Sequence, residues 1–172
     1  MSKRTSQLIC AGQLNGAKLR IKIVKNDGLE ESVAIVNRGT VAQPMSGWVL
    51  ASLRGQVFYT FPDDLIFEPG KLVVIYSGQQ RLKEQNNFGQ STSLSWTINQ
   101  VWNNHSDTAI LFDVNGLEID RFSYSHKRVI GSSVRHRKIL VRNDNGLEIV
   151  NDVLLRSKKV TRKQTGSLTG QL

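Results

Sequence analysis

The stretch TAILFDVNGLEIDRFSY, residues 108–124, decides the fold class, because it contains two apolar segments separated by a turn. The turn is Asp113-Val114-Asn115-Gly116, whose glycine tolerates a positive φ, so we predict a β-hairpin. In the second segment, Leu117 and Ile119 share one parity, whereas Phe122 and Tyr124 share the other. A β-bulge near Asp120-Arg121 would return these side chains to one face.

The same alternation of short apolar runs and turns extends toward the N-terminus of the chain. It predicts further strands at residues 19–23, 33–36, 46–50, 57–61 and 72–76. Residues 77–100 are rich in Gln, Asn, Ser and Gly, which predicts a long loop or a weakly ordered excursion. Helical periodicity is nearly absent before residue 126, so the expected fold class is all-β, a β-sandwich.

Three segments of different character predict the domain organisation. The sandwich should occupy residues 18–126, between a basic N-terminal extension at 1–17 and a basic C-terminal extension at 127–172. Within the latter, residues 138–155 repeat the strand, Asn/Asp/Gly turn, strand pattern of residues 22–30, which predicts a hairpin before a disordered end. Two copies do not indicate a solenoid, and chance accounts for the similarity as well as duplication does.

The formal net charge of +9 is unevenly distributed along the 172 residues. Residues 1–25 carry six bases and no acid, residues 26–125 six bases and eleven acids, and residues 126–172 eleven bases and three acids. The positive charge therefore flanks an acidic middle. Basic runs of this kind neutralise phosphates without reading sequence. A solvated tail that keeps the protein soluble explains them equally well.

Ten basic residues of the C-terminal extension are the candidate polyanion-binding set. Aromatic residues are not interleaved with them, which counts against stacking on single-stranded bases. The set comprises Lys127, Arg128, Arg135, Arg137, Lys138, Arg156, Lys158, Lys159, Arg162 and Lys163.

Residues with catalytic or metal-binding chemistry are sparse. The three histidines His105, His126 and His136 lack the spacing of a metal site, and the single Cys10 can form neither an internal disulfide nor a thiolate zinc site. No phosphate-loop or nucleophile-elbow motif is present. We therefore expect that the protein is not an enzyme and binds neither a metal nor a cofactor. With no signal peptide and no apolar run long enough for a membrane helix, we expect an intracellular protein that does not enter a membrane.

The order of these motifs resembles the lamin tail domain, an immunoglobulin-like β-sandwich, over roughly residues 18–126. The matching motifs are a strand ending in Asn, a Ser-Gly-Trp segment, a Phe-Pro and a Pro-Gly turn, and the closing hairpin. They include Asn37, Gly39, Ser46, Gly47, Trp48, Phe61, Pro62, Pro69, Gly70, Trp102, Asn103, Asp107, Leu111, Asp113, Gly116, Asp120 and Tyr124. The polar excursion at 77–100 and the basic C-terminal extension depart from the family, and no heptad rod is present.

These motif residues have structural roles in our interpretation. Gly47 should allow a tight turn into the strand, and Trp48, Phe61, Leu111 and Tyr124 should lie in the core. Asn37, Asn103 and Asp107 should close loops through hydrogen bonds.

Two hypotheses for the function remain open. The resemblance implies a non-enzymatic interaction or scaffolding module that binds a protein or nucleic acid, with basic flanks adding affinity for polyanions. The alternative is an assembly subunit that pairs through exposed sheet edges without nucleic acid.

Overall fold

Every regular element in the computed structural model is a β-strand over the residues that it describes, which are 12–26, 29–79, 91–125 and 138–151. The prediction of an all-β fold is therefore confirmed. The strands are β1 (Leu19–Lys25), β2 (Glu30–Asn37), β3 (Gln43–Pro44), β4 (Val49–Ser52), β5 (Val57–Thr60), β6 (Ile66–Phe67), β7 (Leu72–Gly78), β8 (Ser91–Thr97), β9 (Ser106–Phe112), β10 (Glu118–Ser125), β11 (Lys138–Asn143) and β12 (Gly146–Asn151).

Sheet 1 contains four strands in the order β1-β2-β7-β8. The first three pair antiparallel, whereas β8 runs parallel to β7. A register shift between Ile21 and Ile23 places Lys22 in a bulge of β1. The bulge is needed because Ile21 and Val24 both point into the core.

Sheet 2 contains four antiparallel strands in the order β10-β9-β4-β5. The predicted hairpin of residues 108–124 is formed by β9 and β10. The predicted bulge is also confirmed, with the register shift between Glu118 and Asp120. It returns Ile119, Phe122 and Tyr124 to contact with the core, whereas the prediction was wrong for Leu117, which is 43% exposed before the bulge.

The main core lies between the two sheets. Sheet 1 contributes alternate residues such as Val33 and Ile35, sheet 2 contributes Leu50 and Leu111, and Trp48 fills the space between them. All five side chains are fully buried. Interleaved side chains from two inner faces are the packing expected of a β-sandwich.

The structure corrects the prediction that residues 77–100 form a loop throughout. Residues 91–97 form strand β8, while residues 80–90 lie outside the described part of the chain. Leu94 and Trp96 pack against the core, and the serines at 91, 93 and 95 alternate with them. This alternation is visible in the sequence. It does not by itself predict a strand, because an edge strand needs few apolar residues, so its composition resembles that of a loop.

A second apolar cluster covers the other face of sheet 2. Strands β11 and β12 form a hairpin, called here the C-terminal hairpin, whose Leu140, Leu147 and Ile149 pack on that face. They cover Val49, Ala51, Ile110 and Phe112, which are almost completely buried. The hairpin is thus a third layer on the sandwich, and residues 152–155 of its predicted extent lie outside the described residues.

Candidate interaction site

Asn37 ends β2 and fastens the turn that follows it. Its side-chain oxygen accepts hydrogen bonds from the backbone amides of Lys18 (3.2 Å) and Gly39 (2.9 Å). Its amide nitrogen donates to the carbonyls of Val41 and Phe67, both at 2.9 Å. The side chain is fully buried, so these four bonds replace all of its contacts with water.

Buried carboxylates hold the loops at one end of the sandwich. Glu31 accepts hydrogen bonds from the hydroxyl of Ser77 and from the backbone amides of Val101 (2.7 Å) and Trp102 (3.3 Å). The sequence analysis missed Glu31, although it shares the inward parity of the apolar residues that follow it in β2. Its role is to bind the chain that leads into β9.

Asp107 performs the same task for the loop after β4. It accepts hydrogen bonds from the Ser52 hydroxyl (2.7 Å) and from the backbone amide of Arg54 (3.1 Å). The Asn103 carbonyl accepts a hydrogen bond from the Tyr124 hydroxyl at 2.7 Å. Burial raises the pKa of Tyr124 above its ordinary value, and the charges of Asp107 and Glu31 raise it further.

The remaining motif residues close turns or fill the core. Gly47 has φ +72°, the Ser46 hydroxyl donates to the Asp63 carbonyl, and Phe61 is buried. Pro62 and Pro69 are exposed, and Gly70, at φ +72°, donates its amide to the Asn37 carbonyl. Trp102 is buried beside Trp96 in an edge-to-face contact.

The turn between β9 and β10 also receives the C-terminal hairpin. Asp113 accepts hydrogen bonds from the amides of Asn115 and Leu117 inside the turn. The Gly116 carbonyl accepts the Leu140 amide at 3.0 Å, and a Cβ on Gly116 would lie 2.2 Å from the Leu140 oxygen. Gly116 is therefore needed for the close approach of β11, as well as for its φ of +77°.

Asp120 connects the two sheets through the bulge of β10. Its carboxylate accepts a hydrogen bond from the Ile21 amide at 2.7 Å and pairs with Arg20 at 2.9 Å. Both partners are in β1, one of the two edge strands of sheet 1.

The candidate polyanion-binding residues lie almost entirely beyond the described part of the chain. Lys138 is the exception, and it begins β11, half-buried, with its backbone amide donating to Glu118 at 2.7 Å. The other nine, Lys127, Arg128, Arg135, Arg137, Arg156, Lys158, Lys159, Arg162 and Lys163, lie outside the described residues.

A trough crosses the outer face of sheet 1, and no residue pattern had singled it out. Cross-strand pairs build it: Ile23 and Val74 flank Ala34, while Lys25 and Tyr76 flank Ser32. The small side chains of β2 form the floor, and those of β1 and β7 form the walls of a space of about 560 Å³. Its signal in the sequence is that β2 and β7 carry apolar residues at both parities.

Over residues 12–26, 29–79, 91–125 and 138–151, no group of three or more His, Cys, Asp or Glu side chains is placed to hold a metal ion. No helix long and apolar enough to cross a membrane occurs in these ranges either.

Comparison with known proteins identifies the family. The model of the Lamin Tail Domain matches residues 13–126, which is more than half of the chain. No curated protein matches it. The domains of this family are immunoglobulin-like β-sandwiches without catalytic activity, and the two facing sheets and the buried signature residues agree with that fold. The chain therefore belongs to the lamin tail domain family.

Proposed function

We propose that this protein is a non-catalytic interaction module of the lamin-tail type. It binds protein or nucleic-acid partners, and its basic C-terminal extension adds sequence-independent affinity for polyanions. The supporting observation is the use of the buried carboxylates: Glu31, Asp107 and Asp113 all accept hydrogen bonds from backbone amides. Their role is to close loops, which suits a rigid scaffold that presents surfaces.

The polyanion part of the proposal concerns residues 126–172. Eleven bases against three acids give this segment a strong positive charge, and phosphate contacts made by such side chains release counterions. The last basic run of the chain provides five bases, at positions 156, 158, 159, 162 and 163. The intracellular location predicted from the sequence is part of the same proposal.

An electrophoretic shift assay with duplex DNA tests this function. The five bases of the last run are replaced together by glutamine in the full chain, with Arg142→Gln in the exposed turn of the C-terminal hairpin as the control. We expect weaker binding only for the fivefold variant. In a plot of log affinity against log salt concentration, each phosphate contact adds about −0.9 to the slope. If the five bases contact five phosphates, the slope of the fivefold variant should be shallower than that of the unmodified protein by about 4.5. Equal binding by all three proteins would refute a role for this run.

Assembly through a sheet edge is a second candidate, and the position of β8 favours it. This strand pairs with β7 on one side and with no described strand on the other. Its sequence is mostly Ser and Thr, whose short side chains would allow another strand, from a copy of the chain or from a partner, to pair with its backbone. Light scattering over a range of salt concentrations tests self-association, and a monomer at every concentration would refute pairing between copies.

A further inference from the structure

The outer faces of the two sheets differ in how they are covered. On sheet 2, the C-terminal hairpin buries Ile110 and Phe112 beneath Leu140. On sheet 1, Ile23 remains 41% exposed, and Val74 and Tyr76 are only half-buried. The trough defined above is lined by Ile23, Lys25, Ser32, Ala34, Val74 and Tyr76, with Leu72 toward one end and Glu30 toward the other. Its central part is thus an apolar surface of the kind that this fold covers on its other side.

The lysines beside the trough are all on one wall, whereas the two acidic residues that line it, Glu30 and the inward-bonded Glu31, are on β2. Lys22 and Lys25 are exposed on β1, and neither forms an ion pair with any described residue. The opposite wall, on β7, presents Val74 and Tyr76. An occupant should therefore carry acidic groups only on the flank that faces the lysines of β1, and apolar groups beneath. Nucleic acid fits poorly, because it has no aliphatic surface for Ile23 and Val74, and Tyr76 is the only aromatic ring among the described residues that line the trough.

The dimensions of the trough match those of a helix. Its walls lie on strands two positions apart, and strands in a sheet are spaced about 4.8 Å, so the walls are roughly 10 Å apart. This is about the diameter of an α-helix with its side chains. Strands of seven residues, such as β1 and β7, are roughly 23 Å long, which corresponds to about 15 residues of helix.

We infer that the trough on sheet 1 binds an amphipathic helix of a protein partner, with the acidic flank of that helix against Lys22 and Lys25. This inference rests on the proposed interaction function and specifies the chemistry of the protein partner. The apolar stripe of the helix would pack on Ile23, Ala34 and Val74. The small Ser32 and Ala34 of the floor are what allow the helix to lie along β2.

The test uses the full chain and a synthetic helix-forming peptide of about 15 residues, the length estimated above. The peptide has leucines on one face and glutamates along one flank, and a control peptide has lysines in place of the glutamates. We expect backbone amide shifts in the NMR spectrum confined to β1, β2 and β7, and at least tenfold weaker binding of the lysine peptide. Shifts confined to β8 would overturn the inference, because they would indicate strand addition at the sheet edge.

Variants of the protein separate the trough from the basic tail, which stays unchanged in all of them. Lys22→Glu/Lys25→Glu and Ile23→Ser should each weaken binding of the acidic peptide at least tenfold. The matched controls are Arg54→Glu/Arg142→Glu, with the same change in charge, and Ile66→Ser, at another exposed isoleucine. Equal affinity across variants and controls would overturn the inference. The DNA assay reports on the tail separately, so that either idea can fail alone.

Discussion

Replacing Asn37 by alanine should destabilise the fold severely, although alanine is smaller and fits the site. The change removes four hydrogen bonds and leaves the carbonyls of Val41 and Phe67 and the amides of Lys18 and Gly39 without this partner. A net contribution of about 1 kcal/mol for each bond predicts a loss of about 4 kcal/mol in the free energy of unfolding. For a domain of this size, that corresponds to a melting temperature lower by roughly 12 °C.

Urea denaturation followed by tryptophan fluorescence measures this loss. Asn104→Ala is the matched control, because Asn104 is exposed and its side chain forms no hydrogen bond with another described residue. It should change the free energy of unfolding by less than about 0.5 kcal/mol. A loss below about 1 kcal/mol for Asn37→Ala, with an unchanged m-value, would refute the reasoning, because the four groups would then have found other partners at little cost.

Three further changes test other parts of the structure. Gly39→Ala should lower the free energy of unfolding by about 3 kcal/mol, because its Cβ would lie 2.1 Å from the Gly16 carbonyl oxygen, and a wild-type urea midpoint would contradict this. A chain ending at residue 126 should bind an apolar dye and melt earlier than one ending at 151, because it lacks the C-terminal hairpin; identical melting would show that the hairpin adds no stability. Tyr124 has a raised pKa, so the folded state retains its proton longer than the unfolded state, and stability should fall as the pH rises above about 10. Tyr124→Phe should flatten that fall in urea midpoints between pH 8 and pH 11, and an unchanged slope would assign it to other groups.

The parts of the fold that the sequence predicted are those where the local pattern and the tertiary environment agree. Strand β7 is an apolar run because it lies in the middle of sheet 1, and the β9–β10 hairpin has both its turn and its alternation within one short stretch. The bulge of β10 could be predicted because the apolar residues change from odd to even positions along the strand, and an inserted residue is the usual way to keep them on one face.

Features that depend on distant contacts were not predictable in the same way. Strand β8 lies at a sheet edge, and only Leu94 and Trp96 of this strand pack against the core, so its composition resembled that of a loop. The short β3–β6 pair consists of two residues in each strand, which is too few for any periodicity. The trough combines side chains of three strands, and which strands are neighbours follows from the topology.

The basic residues near the N-terminus show how topology changes the interpretation of charge. Counted along the chain, Arg20, Lys22 and Lys25 belong to a positive flank, which suggests a tail that attracts polyanions. In the fold they lie on β1, an edge strand of sheet 1. Arg20 is paired with Asp120, which leaves Lys22 and Lys25 as the cations beside the apolar trough. A tail attracts any polyanion, whereas two cations fixed beside a shaped apolar surface select for a partner with both acidic and apolar groups.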